Sequence, residues 1–147
     1  MSESRVVACL NCGQKNRVRV AATGVPHCPK CGAALPWLAD LSDAEFQAGV
    51  VDSPIPVLAD FWAPWCGPCR MVSPAVEKMA SEFAGKMKVA KVNTDEQPEL
   101  GQRFGVRSIP TLIMFEAGRE KSRAIGARSA SELRGWVEQN LGAGHRS

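Results

Sequence analysis

Hydrophobic positions along the chain fall into alternating strand-like and helix-like groups. Pro36-Trp37-Leu38-Ala39-Asp40-Leu41 reads as a weak first strand. Ser42-Asp43-Ala44-Glu45 then has the form of a capping box, opening a short helix through about Val50. After Asp52-Ser53-Pro54-Ile55-Pro56 comes Val57-Leu58-Ala59-Asp60-Phe61-Trp62, an apolar run suited to a strand buried on both faces. Pro64 and Gly67-Pro68 break it. Met71, Val72, Ala75, Val76, Met79, Ala80 and Phe83 then recur at helical spacing, with Pro74 inside that pattern predicting a kink. Met71, Met79, Met114 and Trp136 are assigned to the core.

Lys86 to Val92 alternates into another strand that ends at Asn93-Thr94-Asp95, and Pro98 to Phe104 makes a short helical turn. Pro110 leads into the buried strand Thr111-Leu112-Ile113-Met114-Phe115, Glu116 to Arg119 turns, and Lys121 to Ile125 returns as an edge strand. Ser129-Ala130-Ser131-Glu132 is a second capping box, with Leu133, Trp136, Val137 and Leu141 forming the inner stripe of a closing helix. This order predicts an α/β fold: a mixed sheet covered by helices on both faces. The first 35 residues follow no such pattern. Lys15 to Val20 alternates like a short exposed strand, and Gly32 to Pro36 reads as a connector. We therefore divide the chain into a small module at 1–34 and a main domain at 35–147.

All six cysteines lie in three Cys-x-x-Cys pairs. Two of them, Cys9-Leu10-Asn11-Cys12-Gly13 and Cys28-Pro29-Lys30-Cys31-Gly32, are similar knuckles separated by 15 residues, the spacing of a four-cysteine zinc site. The glycine after each pair lets the backbone turn its amides toward the sulfurs. About thirty residues bury too little surface to fold unaided, whereas a structural zinc supplies about 10 to 16 kcal/mol of apparent binding free energy. Four thiolates leave no open position on the metal, so Cys9, Cys12, Cys28 and Cys31 point to one structural zinc in a zinc-ribbon module. Two disulfides are the competing reading, and a redox switch in which oxidation ejects the metal is a sharper one. His27 is read as a surface residue beside the ligands, and His145 as inert.

The third pair differs in context, because Cys66 and Cys69 follow a buried strand and open a helix. A cysteine in the first helical turn meets unpaired N–H groups and the positive end of the helix dipole, which favour thiolate. Cys66 is thus the expected nucleophile, exposed, with Cys69 one turn on and more buried as the thiol that resolves a mixed disulfide. A hydrophobic content of 45% with 22% charged residues is ordinary for a globular chain. The first ten residues lack the basic and apolar plan of a secretory leader, and no apolar run reaches membrane-spanning length, so a cytoplasmic location without membrane association is expected. Of the net charge of +3, residues 1 to 35 hold +4, five cations facing one acid, and the remainder −1. Five cations are equally what a solvated surface carries, so nucleic-acid binding is not expected.

Trp65-Cys66-Gly67-Pro68-Cys69, the upstream Asp60-Phe61-Trp62, Lys91, Ile109-Pro110-Thr111 and Gly126 together resemble the thioredoxin family from about residue 36 to 142. The whole chain is similar to the zinc-carrying second thioredoxin of bacteria. The resemblance implies a thioredoxin fold with a cis peptide at Pro110 and a protein-disulfide reductase cycling through a Cys66–Cys69 disulfide. It also implies Asp60 as proton acceptor for Cys69, with Lys91 nearby. Trp65, Gly67, Pro68, Ile109, Pro110 and Gly126 would form the substrate-facing surface. Disulfide-bearing proteins would be the substrates, and an NADPH-dependent flavoenzyme, thioredoxin reductase, the electron donor. Ser108 and Pro64 depart from the usual family residues, which bears on target preference. The alternative kept open is a zinc-dependent oxidant sensor or partner-binding adaptor with secondary redox activity.

Overall fold

The computed structural model describes residues 4–19 and 24–144. Val20 and His145, both assigned above, lie outside the described residues. Five strands form the main sheet in the order β3-β5-β4-β6-β7: β3 (Leu38–Asp40), β5 (Lys88–Asn93), β4 (Val57–Trp62), β6 (Thr111–Glu116) and β7 (Arg119–Ile125). β5 runs parallel to β3 and β4, whereas β6 is antiparallel to β4 and β7, so the sheet is mixed. Alternation along β4 sorts its side chains between two cores. Val57, Ala59 and Phe61 join Phe46 of α1 (Asp43–Phe46) and Leu100 of α3 (Pro98–Arg103) on one face. On the other face Leu58 meets Val72, Val76 and Met79 of α2 (Gly67–Glu82) and Leu133 and Val137 of α4 (Ala130–Gly144). The first core is largely aromatic: Phe46, Phe61, Phe104 and Phe115 contact one another edge-on or tilted, with centroids 5.1 to 6.2 Å apart.

Both capping boxes form. The Ser42 N–H donates to Glu45 Oε1 at 3.1 Å, and the Glu132 N–H donates to Ser129 Oγ at 3.1 Å. Past Phe46 the first helix widens into a π-helical turn, Gln47–Val51, where an uninterrupted short helix was expected. α2 continues through Pro74. Met71 corrects an expectation: it is 78% exposed. Cys69, Val72, Val76, Met79 and Ala80 set the buried stripe, and at 100° per residue Met71 falls on the opposite side of the helix. Trp136 is half-buried and donates its ring N–H to Ser122 Oγ at 3.0 Å.

The N-terminal module is a hairpin of β1 (Ser4–Ala8) and β2 (Lys15–Arg19); the first knuckle links the two strands, and the second, at residues 28–31, meets it there. β1 carries no signal read from the sequence. Cys9, Val18 and Cys28 belong to the same buried cluster as Leu35, Trp37 and Phe46, so the module packs onto the main domain. Val6 and Val7 face Glu77, Ala80 and Ser81 of α2 across a groove of about 390 Å³ floored by Pro36 and Leu38. Lys88, at the start of β5, is wholly buried with its ammonium 4.9 Å from the centre of the Trp37 ring.

Candidate active site and metal centre

β4 ends at Trp62, and the chain turns through Ala63-Pro64-Trp65 into α2. Cys66 is the N-cap of that helix, with extended backbone (φ −84°, ψ 107°), and Pro68 sits in the first turn where no N–H is needed. Cys66 Sγ accepts the Cys69 backbone N–H at 3.2 Å, one of the orphan donors of the helix start. Cys66 and Cys69 are joined as a disulfide, with their Cα atoms 5.3 Å apart. In this oxidised form the two are almost equally buried, at 4% and 3% exposure, so the expected contrast between an open Cys66 and a hidden Cys69 is absent. Ala63, Trp62 and Ile109 pack around the pair, and only the flanking residues open to solvent.

Of the residues expected to face substrate, Trp65, Gly67 and Pro68 are exposed, Ile109 and Gly126 half-buried, and Pro110 buried. Trp65 is 68% exposed and donates its indole N–H to Asp95 Oδ1 at 3.2 Å. The Ile109–Pro110 peptide is cis, as expected. Its loop brings the Ile109 carbonyl oxygen to 3.8 Å from Cys66 Sγ. Gly126 (φ +89°) donates its N–H to the Pro110 carbonyl at 2.9 Å, a backbone geometry that a side chain would strain. Trp65 and Ile109 also border a shallow groove of about 240 Å³ with Val106, Arg107 and Pro98.

Asp60 stands opposite Lys91 in the parallel register of β4 and β5. It is 1% exposed, and its Oδ1 has no hydrogen-bond partner. Burial pushes its carboxyl up to about 7; Lys91 opposes that rise, while Glu77 and Asp40 add to it. Lys91 Nζ donates to Ser73 Oγ at 2.9 Å and to Glu77 Oε2 at 3.1 Å, and lies 4.9 Å from the Trp62 ring centre. Ser73, Glu77 and Asp40 are therefore polar or charged neighbours of Lys91 and Asp60 that the sequence reading missed. Ser73 and Glu77 are four apart on α2 and so share a face, the only signal their positions carry.

In the N-terminal module Cys9, Cys12, Cys28 and Cys31 bring their sulfurs within 4.8 Å of one another. Cys9 to Cys31 and Cys12 to Cys28 are 3.6 Å each, close to the about 3.8 Å edge of a tetrahedron with metal–sulfur bonds of about 2.3 Å. Gly13 (φ +78°) and Gly32 (φ +80°) turn each knuckle, donating to the Cys9 and Cys28 carbonyls at 2.8 and 2.7 Å. Burial alone would raise the Cys28 thiol, but N–H groups of Cys31 and Lys30 and the Cys12 side chain outweigh it and lower it to about 6. His27 is exposed and bonds the Val25 carbonyl, outside the tetrad. The four cysteines form a group able to hold a metal ion.

An α/β domain that caps a helix with one cysteine of a disulfide pair, and carries a buried carboxyl on the strand leading into that helix, defines a thiol–disulfide oxidoreductase. The chain belongs to the thioredoxin family, whose model matches residues 37–139. It is similar to thioredoxin M4, chloroplastic, of Arabidopsis thaliana, with 44% identity over 142 residues covering 95% of this chain and 74% of the relative. Thioredoxin 1 of Nostoc sp. is 48% identical over 70% of this chain and 96% of its own length. The thioredoxin of Haemophilus influenzae is 45% identical over 69% and 94% respectively. The chain is accordingly a protein-disulfide oxidoreductase. Among the described residues no helix is long and apolar enough to cross a membrane.

Proposed function

We infer that the protein is a thioredoxin that reduces disulfides of other proteins, with Cys66 as nucleophile and Cys69 as resolving thiol. The observation that carries this is the placement of Cys66 as N-cap of α2, where its sulfur accepts the Cys69 N–H. A sulfur held there is stabilised as thiolate by the same donor and by the helix dipole. The Cys66 thiolate attacks one sulfur of a target disulfide: a Cys66–target bond forms, the target S–S bond breaks, and the leaving sulfur takes up a proton. Cys69 then gives its proton to Asp60, and its thiolate attacks Cys66 Sγ. The Cys66–Cys69 bond forms as the second target sulfur leaves and is protonated. Two electrons and two protons pass to the target. A carboxyl that binds protons with a midpoint near 7 is matched to this exchange.

Trp65, Gly67, Pro68, Ile109 and Gly126 form the docking rim, the buried Pro110 shaping the loop through its cis peptide, with the Ile109 backbone available to pair with an extended substrate segment. Thioredoxin reductase, drawing on NADPH, restores the dithiol. Residues 1–34 act as a zinc ribbon and residues 35–147 as the thioredoxin domain. Cys9, Cys12, Cys28 and Cys31 hold one structural zinc; an all-sulfur donor set with tetrahedral edge lengths supports zinc in that role. A reducing compartment such as the cytoplasm suits free thiolates in the tetrad. Reduction of insulin driven by NADPH and thioredoxin reductase tests the assignment. Turnover is expected with the full chain and complete loss with Cys66→Ser; turnover unchanged by that substitution overturns it.

A further inference from the structure

Lys91 faces a choice of acceptors. Asp60 lies across from it in the sheet register, buried and with Oδ1 unpartnered. An ammonium would ordinarily be drawn to such an oxygen. Instead its hydrogen bonds reach sideways to α2, to Ser73 Oγ at 2.9 Å and Glu77 Oε2 at 3.1 Å. Ser73 Oγ in turn donates to Glu77 Oε2 at 2.8 Å, so the hydroxyl, carboxylate and ammonium close a three-membered ring of contacts. The ring is fixed at both ends: Lys91 belongs to β5, and Ser73 and Glu77 lie one turn apart on α2, which packs over β5. The face of the Trp62 ring completes the seat of the ammonium.

We propose that Ser73 and Glu77 are positioning residues of the redox reaction, holding the Lys91 ammonium on α2 so that Asp60 stays basic enough to take the Cys69 proton. This rests on the assignment of Asp60 as that proton acceptor. Lys91 drawn fully onto Asp60 would stabilise the carboxylate and weaken it as a base. Ser73 and Glu77 share the charge of Lys91 and leave Asp60 under a partial cation only. The charged groups acting on Asp60 are Lys91 from β5, Asp40 from β3 and Glu77 from α2; β6 contributes Leu112 opposite it. Of these, Glu77 both bonds Lys91 and adds its own negative field. Its side chain is 47% exposed, so its replacement tests position and charge while leaving the core intact.

The test is a carbon-NMR titration of the Asp60 carboxyl in the oxidised full-length protein, where Cys66 and Cys69 do not titrate. Glu77→Gln is expected to lower the midpoint by roughly half a unit to one unit, the scale of one partly screened charge. Ser73→Ala should move it in the same direction by less, and Glu77→Asp should restore most of it. In a Lys91→Met background the Glu77→Gln shift should shrink, because part of the effect passes through Lys91. An unmoved midpoint, or an equal shift with and without Lys91, overturns the positioning role. In parallel, release of a trapped Cys66 mixed disulfide is measured with Asp60→Asn. Slowed release combined with an unmoved Glu77→Gln midpoint overturns the positioning role alone. Unslowed release overturns the proton-acceptor assignment and this inference with it.

Discussion

A carboxyl buried as deeply as Asp60 is costly to ionise, and that cost appears in stability as well as in chemistry. Unfolded, Asp60 loses its proton near pH 4; folded, it keeps the proton to about 7. Between those values the unfolded state binds fewer protons, so stability falls as pH rises from about 4 to 7 and levels off above. Asp60→Asn removes that dependence. The oxidised variant should be more stable than the parent by on the order of 2 kcal/mol at pH 8 and nearly equal to it at pH 4, read from thermal unfolding at both. Equal stabilisation at the two pH values would mean that ionisation of Asp60 is not the cause. A lone acid in an apolar strand announces itself in the sequence. Ser73 and Glu77 do not, since a serine and a glutamate four apart resemble any solvated helix face. Only the packing of α2 on β5 gives them Lys91 as a partner.

The elements most legible in the sequence are those whose signals are local. Ser42 with Glu45 and Ser129 with Glu132 start their helices as the capping boxes predict, and β4 is buried on both faces as its composition requires. The π-helical turn after Phe46 was not legible, because no local signal marks its wider winding; within it Gly49 lies close to Leu41 and Trp37, where an added Cβ would be 3.0 Å from the Leu41 side chain. Met71 was misplaced because a broad apolar pattern leaves the phase of the buried stripe undecided. Met71→Gln should therefore change stability by no more than about 0.5 kcal/mol, whereas Val76→Ala should cost about 2 kcal/mol. The β6–β7 hairpin supplies a sharper contrast. Its two turn residues, Ala117 (φ 54°) and Gly118 (φ 78°), are both left-handed, as a two-residue turn matching the sheet twist demands. Gly118→Ala places a Cβ 3.0 Å from the Val51 carbonyl oxygen on top of the backbone strain and should cost more than about 1 kcal/mol. Ala117→Gly relieves strain of about the same size and should be neutral or stabilising. Denaturant unfolding of the pair reads both signs at once.

For the whole molecule, the cysteine spacings separate a four-cysteine group able to hold a metal ion from a disulfide pair, but do not say how their carriers meet. The N-terminal module has too little apolar surface of its own for a core, and its buried Cys9, Val18 and Cys28 are continuous with Leu35 and Trp37 of the main domain. That continuity arises from tertiary contact and leaves no periodic trace in the chain. It predicts that loss of the metal is felt beyond the ribbon. On the proposed reading of one zinc held by the four cysteines, Cys28→Ser or a strong chelator should release it, loosen the N-terminal module, and uncover the flank of Trp37, which is 2% exposed in the folded protein. The melting temperature of the main domain should then fall by several degrees, as expected when a few kcal/mol of apolar burial is lost. Insulin reduction below that temperature should persist, because Cys66 and Cys69 sit in a separate small cluster with Ala63. Calorimetry of the metal-loaded and metal-free full chain decides the matter: a single shifted transition marks the ribbon as part of the main core, whereas an unmoved main transition beside a lost minor one would show that the two fold independently.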